Sequence, residues 1–211
     1  MAKLLGLMAE GTVVSLEVFF LTLLFAVPLA LPVALGRMSG RWWIRGPVHG
    51  YILVMRGTPL ILQILFVYFA PYYLFEASWD RFTAVIVAFT INYAAYFAEI
   101  YRGGLQAIPR GQYEAAKVLG FSRADTFFRV VLPQVVKRIL PASANEVITL
   151  VKDTALAQTI GVAELFRVAQ NASARQFSTM PIFVAGVFYF VMNWAVSEAF
   201  LRWERKLEYY S

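Results

Sequence analysis

The chain has 211 residues, of which 60% are hydrophobic and 15% are charged, and this composition excludes a soluble globular domain. It carries a net charge of +6, no cysteine and one histidine, His49, so the sequence excludes disulfides and thiolate metal sites and offers no imidazole cluster for zinc. We therefore predict an integral membrane protein without a metal site. The net positive charge does not indicate a nucleic-acid partner, because basic cytoplasmic loops next to anionic lipid are enough to explain it.

Five apolar segments are long enough to cross a hydrocarbon layer about 30 Å thick, which takes about 20 helical residues. In chain order they are residues 12–36, 48–72, 82–103, 138–157 and 181–201. Because strand-like alternation does not recur, we predict an all-α integral membrane protein with about five transmembrane helices in a single domain, residues 1–211.

Two of these segments are interrupted. Pro59 lacks a backbone donor and clashes with the preceding turn, so we predict a kink or a new helical segment there, acting either as a gate hinge or as a static bend. Lys152 and Asp153 break the fourth segment. Broken helices at membrane depth are where transporters expose backbone groups to a ligand.

The basic residues predict the orientation of the chain. If the N-terminus lies outside, the inner segments 37–45, 101–138 and 202–211 hold 13 of the 19 lysines and arginines, whereas the outer loop 71–80 holds only Glu76 and Asp80 as charged groups. Cytoplasmic loops are enriched in lysine and arginine, so we predict the N-terminus outside and the C-terminus inside.

A polar stretch with helix-capping and helix-breaking residues separates the third and fourth segments. Residues 114–119 read as a short helix, Gly120 stands where a left-handed C-cap is needed, and Ser122 begins a second helix with Asp125 three residues later. Pro133 is expected to end this elbow at the mouth of the next span. The elbow is either a surface-lying amphipathic element or a docking element; a DNA-reading helix-turn-helix is disfavoured because spans tether both of its ends.

The spacing of these residues resembles a known motif. Glu114, Ala115, Ala116, Gly120, Val130, Leu132 and Pro133 resemble the EAA loop of permease subunits of ATP-binding-cassette (ABC) importers, with Val130 where that family usually has isoleucine. The segments RGTPLILQ at 56–63, AEIYRGG at 98–104 and KDTALAQTIGVAEL at 152–165 are similar to the polar amino-acid branch, with Ala155 in place of an expected serine. The resemblance implies a type I ABC importer transmembrane domain in a prokaryotic cytoplasmic (inner) membrane.

The resemblance also implies partners. Residues 104–133 would form the cytoplasmic loop whose elbow, the coupling helix, docks on a separate ATPase dimer. The predicted ATPase contacts are Glu114, Ala115, Ala116, Gly120, Phe127, Phe128 and Pro133, and which of the two phenylalanines faces the ATPase is left open. The chain has no GxxxxGK[ST] loop, so we expect it to bind no cofactor and to catalyse no reaction, with ATP and Mg used by the partner. A second permease chain, identical or closely related, and an extracytoplasmic solute-binding protein complete the expected assembly.

Polar residues inside the spans are candidates for the transport path, because they are costly to insert into a membrane. The predicted substrate contacts are Arg56, Gln63, Asn92, Glu146, Thr149, Lys152 and Asp153. Glu99 is instead predicted to pair with Arg102 or Arg56. An alternative interpretation is that the whole set only locks the bundle.

Other functions fit the sequence less well. An ion-coupled secondary transporter usually contains an internal repeat, and no motif is duplicated here. An intramembrane enzyme would need a catalytic constellation, yet the chain has neither HExxH nor GxSxG. An ABC permease for another small solute remains open, as does the identity of the amino acid.

Overall fold

The computed structural model describes residues 2–207, with side chains from residue 4 onward, and this part of the chain contains helices and no strand. The helices are α1 (Ala2–Arg37), α2 (Trp42–Gly57), α3 (Leu60–Phe75), α4 (Arg81–Gln106), α5 (Arg110–Val118), α6 (Arg123–Asp125), α7 (Leu132–Asp153), α8 (Leu165–Gln176) and α9 (Met180–Leu207). A π-helical segment, Thr126–Val131, joins α6 to α7, and a 3-10 segment, Thr154–Ile160, follows α7.

Helix α4 forms the centre of the bundle and contacts α1, α2, α3 and α7. Its most extensive contact is with α1, where Ala26, Ala30 and Ala34 recur every fourth residue and are fully buried. Small side chains at this spacing let two helix backbones approach closely, which is a common source of helix association in membranes. The alanine stripe therefore positions α4 and the polar residues that it carries.

Within residues 2–207, three helices are by themselves long and apolar enough to cross a membrane: Leu4–Arg37, Arg81–Gln106 and Met180–Leu207. They include the first, third and fifth predicted segments, each extended at one or both ends. The fourth predicted segment, 138–157, falls on α7 and the 3-10 turns after it. The charged residues of α7 lower its mean hydropathy, so α7 is less apolar than these three spans.

The second predicted segment, 48–72, is not one continuous helix. Helix α2 ends at Gly57, α3 begins at Leu60, and their directions differ by 113°. Thr58 (φ −121°, ψ 149°) and Pro59 (φ −62°, ψ 134°) are extended, because a residue before proline disfavours the helical region and proline donates no hydrogen bond. The predicted new helical segment at Pro59 is confirmed.

Asp80 fixes the start of α4 after the outer loop. Its Oδ1 accepts the backbone N–H of Thr83 at 3.0 Å, which is the usual N-cap arrangement. Hydrogen bonds from Thr83 lower the pKa of this carboxyl. The cap determines where α4 begins and therefore where its polar residues lie along the axis of the bundle.

Candidate functional site

The elbow between α4 and α7 is built around a complete Schellman motif at the end of α5. The N–H of Gly120 donates to Lys117 O and the N–H of Phe121 donates to Ala116 O, each at 3.0 Å. Gly120 has φ 78°, in the left-handed region that residues with a Cβ rarely adopt. The predicted left-handed cap is confirmed, and it sets the angle between the two arms of the elbow.

The second arm begins at Ser122, as predicted. Ser122 Oγ accepts the N–H of Asp125 at 3.1 Å, and its hydroxyl donates to Asp125 Oδ2 at 2.6 Å. The carboxylate is thus held by the hydroxyl of Ser122 in a variant of the capping box.

Pro133 does not end the elbow, so that prediction was wrong. The chain is helical without a break from Arg123 to Asp153. The N–H of Leu132 donates to Phe127 O, five residues back, and these wider π turns relieve the clash between the proline ring and the carbonyl four residues before it. The carbonyl of Val130 accepts Gln134 Nε2 at 2.7 Å, so a side chain supports the turn next to the proline.

The tip of the elbow exposes apolar side chains. Val118 and Leu119 are 87% and 76% exposed, and Ala115 lies next to them on the same surface. The charged residues Glu114, Lys117 and Arg123 are exposed around this tip. We call Ala115, Val118, Leu119 and the three charged residues the elbow tip; it combines a small apolar contact area with a charged rim.

The two elbow phenylalanines have different environments. Phe127 packs under the elbow against Ile108, Val131 and Val135, whereas Phe128 is 65% exposed. Their rings meet edge to face with centroids 5.2 Å apart. Phe128 is therefore the phenylalanine available to a partner, which the sequence left open.

The elbow is fastened to the bundle by polar and close backbone contacts. Gln134 Nε2 donates to Gln112 Oε1 at 3.1 Å, and Arg138 Nη1 donates to Ala107 O at 2.8 Å. Gly104, near the end of α4, lies so close to α7 that an added Cβ would meet Ile139 Cγ2 and, at 3.3 Å, Val135 Cγ1. These contacts join the elbow and the end of α4 to α7.

A second polar region lies where α7 ends. Tyr93 Oη donates to Asp153 Oδ2 at 2.7 Å, which joins α4 to α7. Glu146 lies two turns before Asp153 on the same face of α7, is half-buried, and is within electrostatic range of Arg56. One face of α7 thus carries two carboxylates, and the guanidinium of Arg56 is within electrostatic range of the first of them.

Glu99 holds a separate cluster of three arginines. Arg102 binds it with two hydrogen bonds, Nη2 to Oε2 at 2.7 Å and Nε to Oε1 at 3.0 Å, while Arg37 and Arg56 each lie 3.9 Å away. The predicted pairing of Glu99 with Arg102 is confirmed. The guanidinium of Arg56 also lies 5.2 Å from the ring centroid of Tyr96, a cation–π contact, so Arg56 stands between this cluster and Glu146.

The break between α2 and α3 is closed by two amides. Gln63 Nε2 donates to Met55 O at 3.0 Å and to Thr58 Oγ1 at 2.9 Å, and Asn92 Nδ2 donates to Met55 O at 3.1 Å and to Gln63 Oε1 at 2.9 Å. Both side chains are buried. The network satisfies a carbonyl at the open end of α2, which would otherwise lack a partner inside the membrane.

These features can be compared with known proteins. Residues 26–207 match the family described as the binding-protein-dependent transport system inner membrane component. The chain belongs to this family. It is therefore a multi-pass permease component of an inner membrane, in a system that also has an ATPase and a binding protein.

Individual relatives of this inner membrane component are similar over nearly their whole length. The glutamine transport system permease protein of Escherichia coli K12 is 37% identical, with 96% of this chain and 93% of the relative covered. The L-cystine transport system permease protein of Bacillus subtilis is 36% identical, with 97% and 88% covered. The chain also superimposes on the crystal structure of an amino acid ABC transporter with histidines, at 37% identity and a TM-score of 0.89 over 98% of this chain and 96% of that one.

The fold class is confirmed by these comparisons. An inward-facing methionine ABC transporter, 18% identical, shares the fold with a TM-score of 0.79 over 98% of this chain and 99% of that chain. The inner membrane component thus has the all-α type I ABC importer architecture that the motifs predicted.

The predicted substrate residues divide into groups in this permease. Glu146 and Asp153 lie two turns apart on one face of α7, with Arg56 within electrostatic range of Glu146, and Thr149 and Lys152 are exposed on the same helix. Gln63 and Asn92 are instead engaged with the break between α2 and α3. Substrate contact by any of the seven stays a prediction, and the best-placed residues are those at the end of α7.

Sequence reasoning missed Tyr93 and Arg37. Tyr93 is 2% exposed and binds Asp153, 60 positions later in the chain. A buried tyrosine in an apolar span needs a hydrogen-bond partner, and that requirement could have identified it. Arg37 ends α1 and reaches Glu99 only because α1 and α4 pack closely.

We expect Gln63→Leu to destabilise the permease by about 1–2 kcal/mol, because it leaves Asn92 and Met55 O with fewer partners in the membrane. Thermal unfolding in detergent measures this effect. The double variant Gln63→Leu, Asn92→Leu should lose less than the sum of the two single variants, since both polar partners are removed together. Gln176→Leu, at an exposed position of α8, is the control. Additive losses would show that the two amides act independently.

Proposed function

We propose that the chain is the permease subunit of an ATP-driven importer of an amino acid, and that two such chains, identical or closely related, enclose the translocation path. The named relatives support the substrate class, since they are permeases of glutamine and L-cystine transport systems and a third is an arginine permease of Bacillus subtilis, 35% identical. One chain offers one elbow. A dimeric ATPase presents two equivalent surfaces, so a pair of chains matches it.

The observation that carries this proposal is the elbow tip. Val118 and Leu119 are more exposed than almost all other large apolar side chains of the described region, on a knob held rigid by Gly120 and Ser122. An exposed apolar surface with a charged rim is typical of a protein-binding site. ATP and Mg²⁺ would belong to the partner, and hydrolysis there would move the elbow and, through α7, the polar region at Asp153.

The proposed substrate contacts follow from the chemistry of a zwitterion. An amino acid needs an acceptor for its ammonium group and a donor for its carboxylate, and both are strong as charge-assisted hydrogen bonds away from water. Glu146 and Asp153 supply acceptors, and Lys152 and Arg56 supply donors. Tyr93 positions Asp153 by donating to one of its oxygens and leaves the other oxygen for a ligand.

The proposed orientation places the elbow in the cytoplasm and the N-terminus outside. The elbow segment and the end of α9 are rich in arginine and lysine, whereas the loop before α4 carries Glu76 and Asp80. This distribution follows the positive-inside tendency.

The proposal is tested by reconstituting the chain with its ATPase and binding protein in vesicles and measuring uptake of labelled amino acids. We expect uptake only with ATP on the elbow side. Asp153→Asn should reduce uptake by about tenfold or more, because asparagine still accepts the Tyr93 hydrogen bond but lacks the charge that binds an ammonium group. Binding of the ATPase should not change.

Asp80→Asn is the matched control, since asparagine caps a helix as well as aspartate does and this site is exposed on the outer loop. Uptake that continued without ATP would indicate an ion-coupled transporter instead. Uptake of a different solute that no amino acid inhibited would contradict the substrate class. Normal uptake by Asp153→Asn would assign Asp153 to bundle packing.

A further inference from the structure

A large cavity lies away from the polar residues. It has a volume of about 850 Å³ and is bounded by α1, α4, α7 and α9. Along α7 it extends from Val136 to Val151, which is about 22 Å of helix. Its walls are almost entirely apolar, and the rim residues Phe20, Val191 and Trp203 are exposed. The cavity is therefore a long groove that opens on the outer face of α1 and α9.

A second pocket adjoins the elbow end of this groove. It has a volume of about 750 Å³, shares Val136 with the groove, and is lined by Arg129, Gln134, Lys137 and Leu207. Arg129 is partly balanced by Asp125 at 3.1 Å. Arg205 and Lys206 precede Leu207 in the last turn of α9. The elbow end of the groove is thus basic.

Aromatic residues mark the depth of this junction. Trp203 and Tyr101 line the groove at the end that faces the basic pocket. Tryptophan and tyrosine are enriched at the level of lipid headgroups, where one part of the ring is in an apolar layer and the other is in water. The basic pocket therefore lies at headgroup level, and the groove extends from it into the hydrocarbon layer.

An apolar groove of this size is not filled by water, which needs polar partners, and an empty void would forfeit dispersion contacts along its walls. A second copy of the chain related by a two-fold axis would bring the same basic segment to the same depth, so like charges would meet. A phospholipid supplies acyl chains for the groove and a negative phosphate for the pocket. We propose that an anionic phospholipid occupies this groove, with its acyl chains between α1, α7 and α9 and its phosphate beside Lys137.

The full chain, purified in detergent alone and within its assembled transporter, tests this site by native mass spectrometry. The probes are phosphatidylglycerol and phosphatidylcholine with the same acyl chains. We expect the chain to retain phosphatidylglycerol more strongly. Ala195→Phe, which places a ring in the groove, should abolish retention of both lipids. Lys137→Gln should lower the preference for phosphatidylglycerol by about fivefold, as expected for one charge at a membrane surface.

Two matched variants serve as controls. Ala9→Phe adds the same ring to an exposed position of α1 outside the groove, and Arg175→Gln removes one positive charge from an exposed position of α8. Both should bind lipid as the unmodified chain does. Equal retention of the two lipids, or retention that neither Ala195→Phe nor Lys137→Gln alters, would overturn the proposal. So would lipid that is lost whenever two chains pair, because the second chain would then fill the groove.

Discussion

Gly120→Val is expected to reduce ATP-driven uptake by about tenfold while the chain still inserts into the membrane. At φ 78° a residue with a Cβ is strained by about 1–2 kcal/mol, and a β-branched side chain is less tolerated there than alanine. No atom of the described residues lies within 4 Å of an added Cβ, so the strain acts on the backbone of the turn and changes the angle of the elbow. Uptake and ATP hydrolysis, measured together in vesicles, should become uncoupled.

Gly111→Val is the matched control, at the start of the helix that Gly120 follows. An added Cβ at Gly111 also meets nothing within 4 Å in the described part of the chain, and Gly111 does not have a positive φ. It should therefore transport nearly as the unmodified chain does. If the two valine variants transported equally, the elbow angle would have no role in coupling, and the elbow would be only a surface element.

Gly104→Ala and Gly103→Ala are expected to change stability in opposite directions. At Gly104 the new methyl group would collide with Ile139 and approach Val135, so α4 and α7 must separate at a cost of about 1–3 kcal/mol. At Gly103 the methyl group meets no atom of residues 2–207 within 4 Å, and alanine favours a helix over glycine by about 0.5–1 kcal/mol. Thermal unfolding of the two variants in detergent compares the effects directly.

The separation of α4 and α7 should also weaken uptake by Gly104→Ala, because Ile139 and Val135 support Phe127 under the elbow. Gly103→Ala should transport normally. Equal stability of the two alanine variants would mean that Ile139 can rotate away without disturbing the helices, and the close approach at Gly104 would then carry no structural role.

The elbow was largely readable from the sequence because its determinants are local. The turn after α5 requires a left-handed residue, which Gly120 supplies, and Ser122 accepts the backbone N–H of the residue three positions later. Both effects act within one turn. The break at Pro59 was predictable for the same reason. The outcome at Pro133 was not, because the π turns before it accommodate the ring and allow the helix to continue.

The polar regions could be predicted only as a set of candidates. Periodicity placed Asn92 and Gln63 on helix faces, but their joint contact with Met55 O depends on the 113° turn between α2 and α3. The bond between Tyr93 and Asp153 depends on the position of α4 relative to α7, which the buried alanines of α1 and the close approach at Gly104 determine. Such distances between helices are set by packing and are not encoded in one segment.

The unbroken helix from Arg123 to Asp153 also fixes a rotational relation. It is about 45 Å long, and adding or removing one residue within it would turn everything beyond by about 100°. The side of the bundle that Asp153 faces is therefore tied to the direction in which the elbow tip points. The number of residues in the π-helical segment Thr126–Val131 sets the rotation of Asp153 about the helix axis relative to the elbow tip. The length of this segment is therefore physically more constrained than its amino-acid composition.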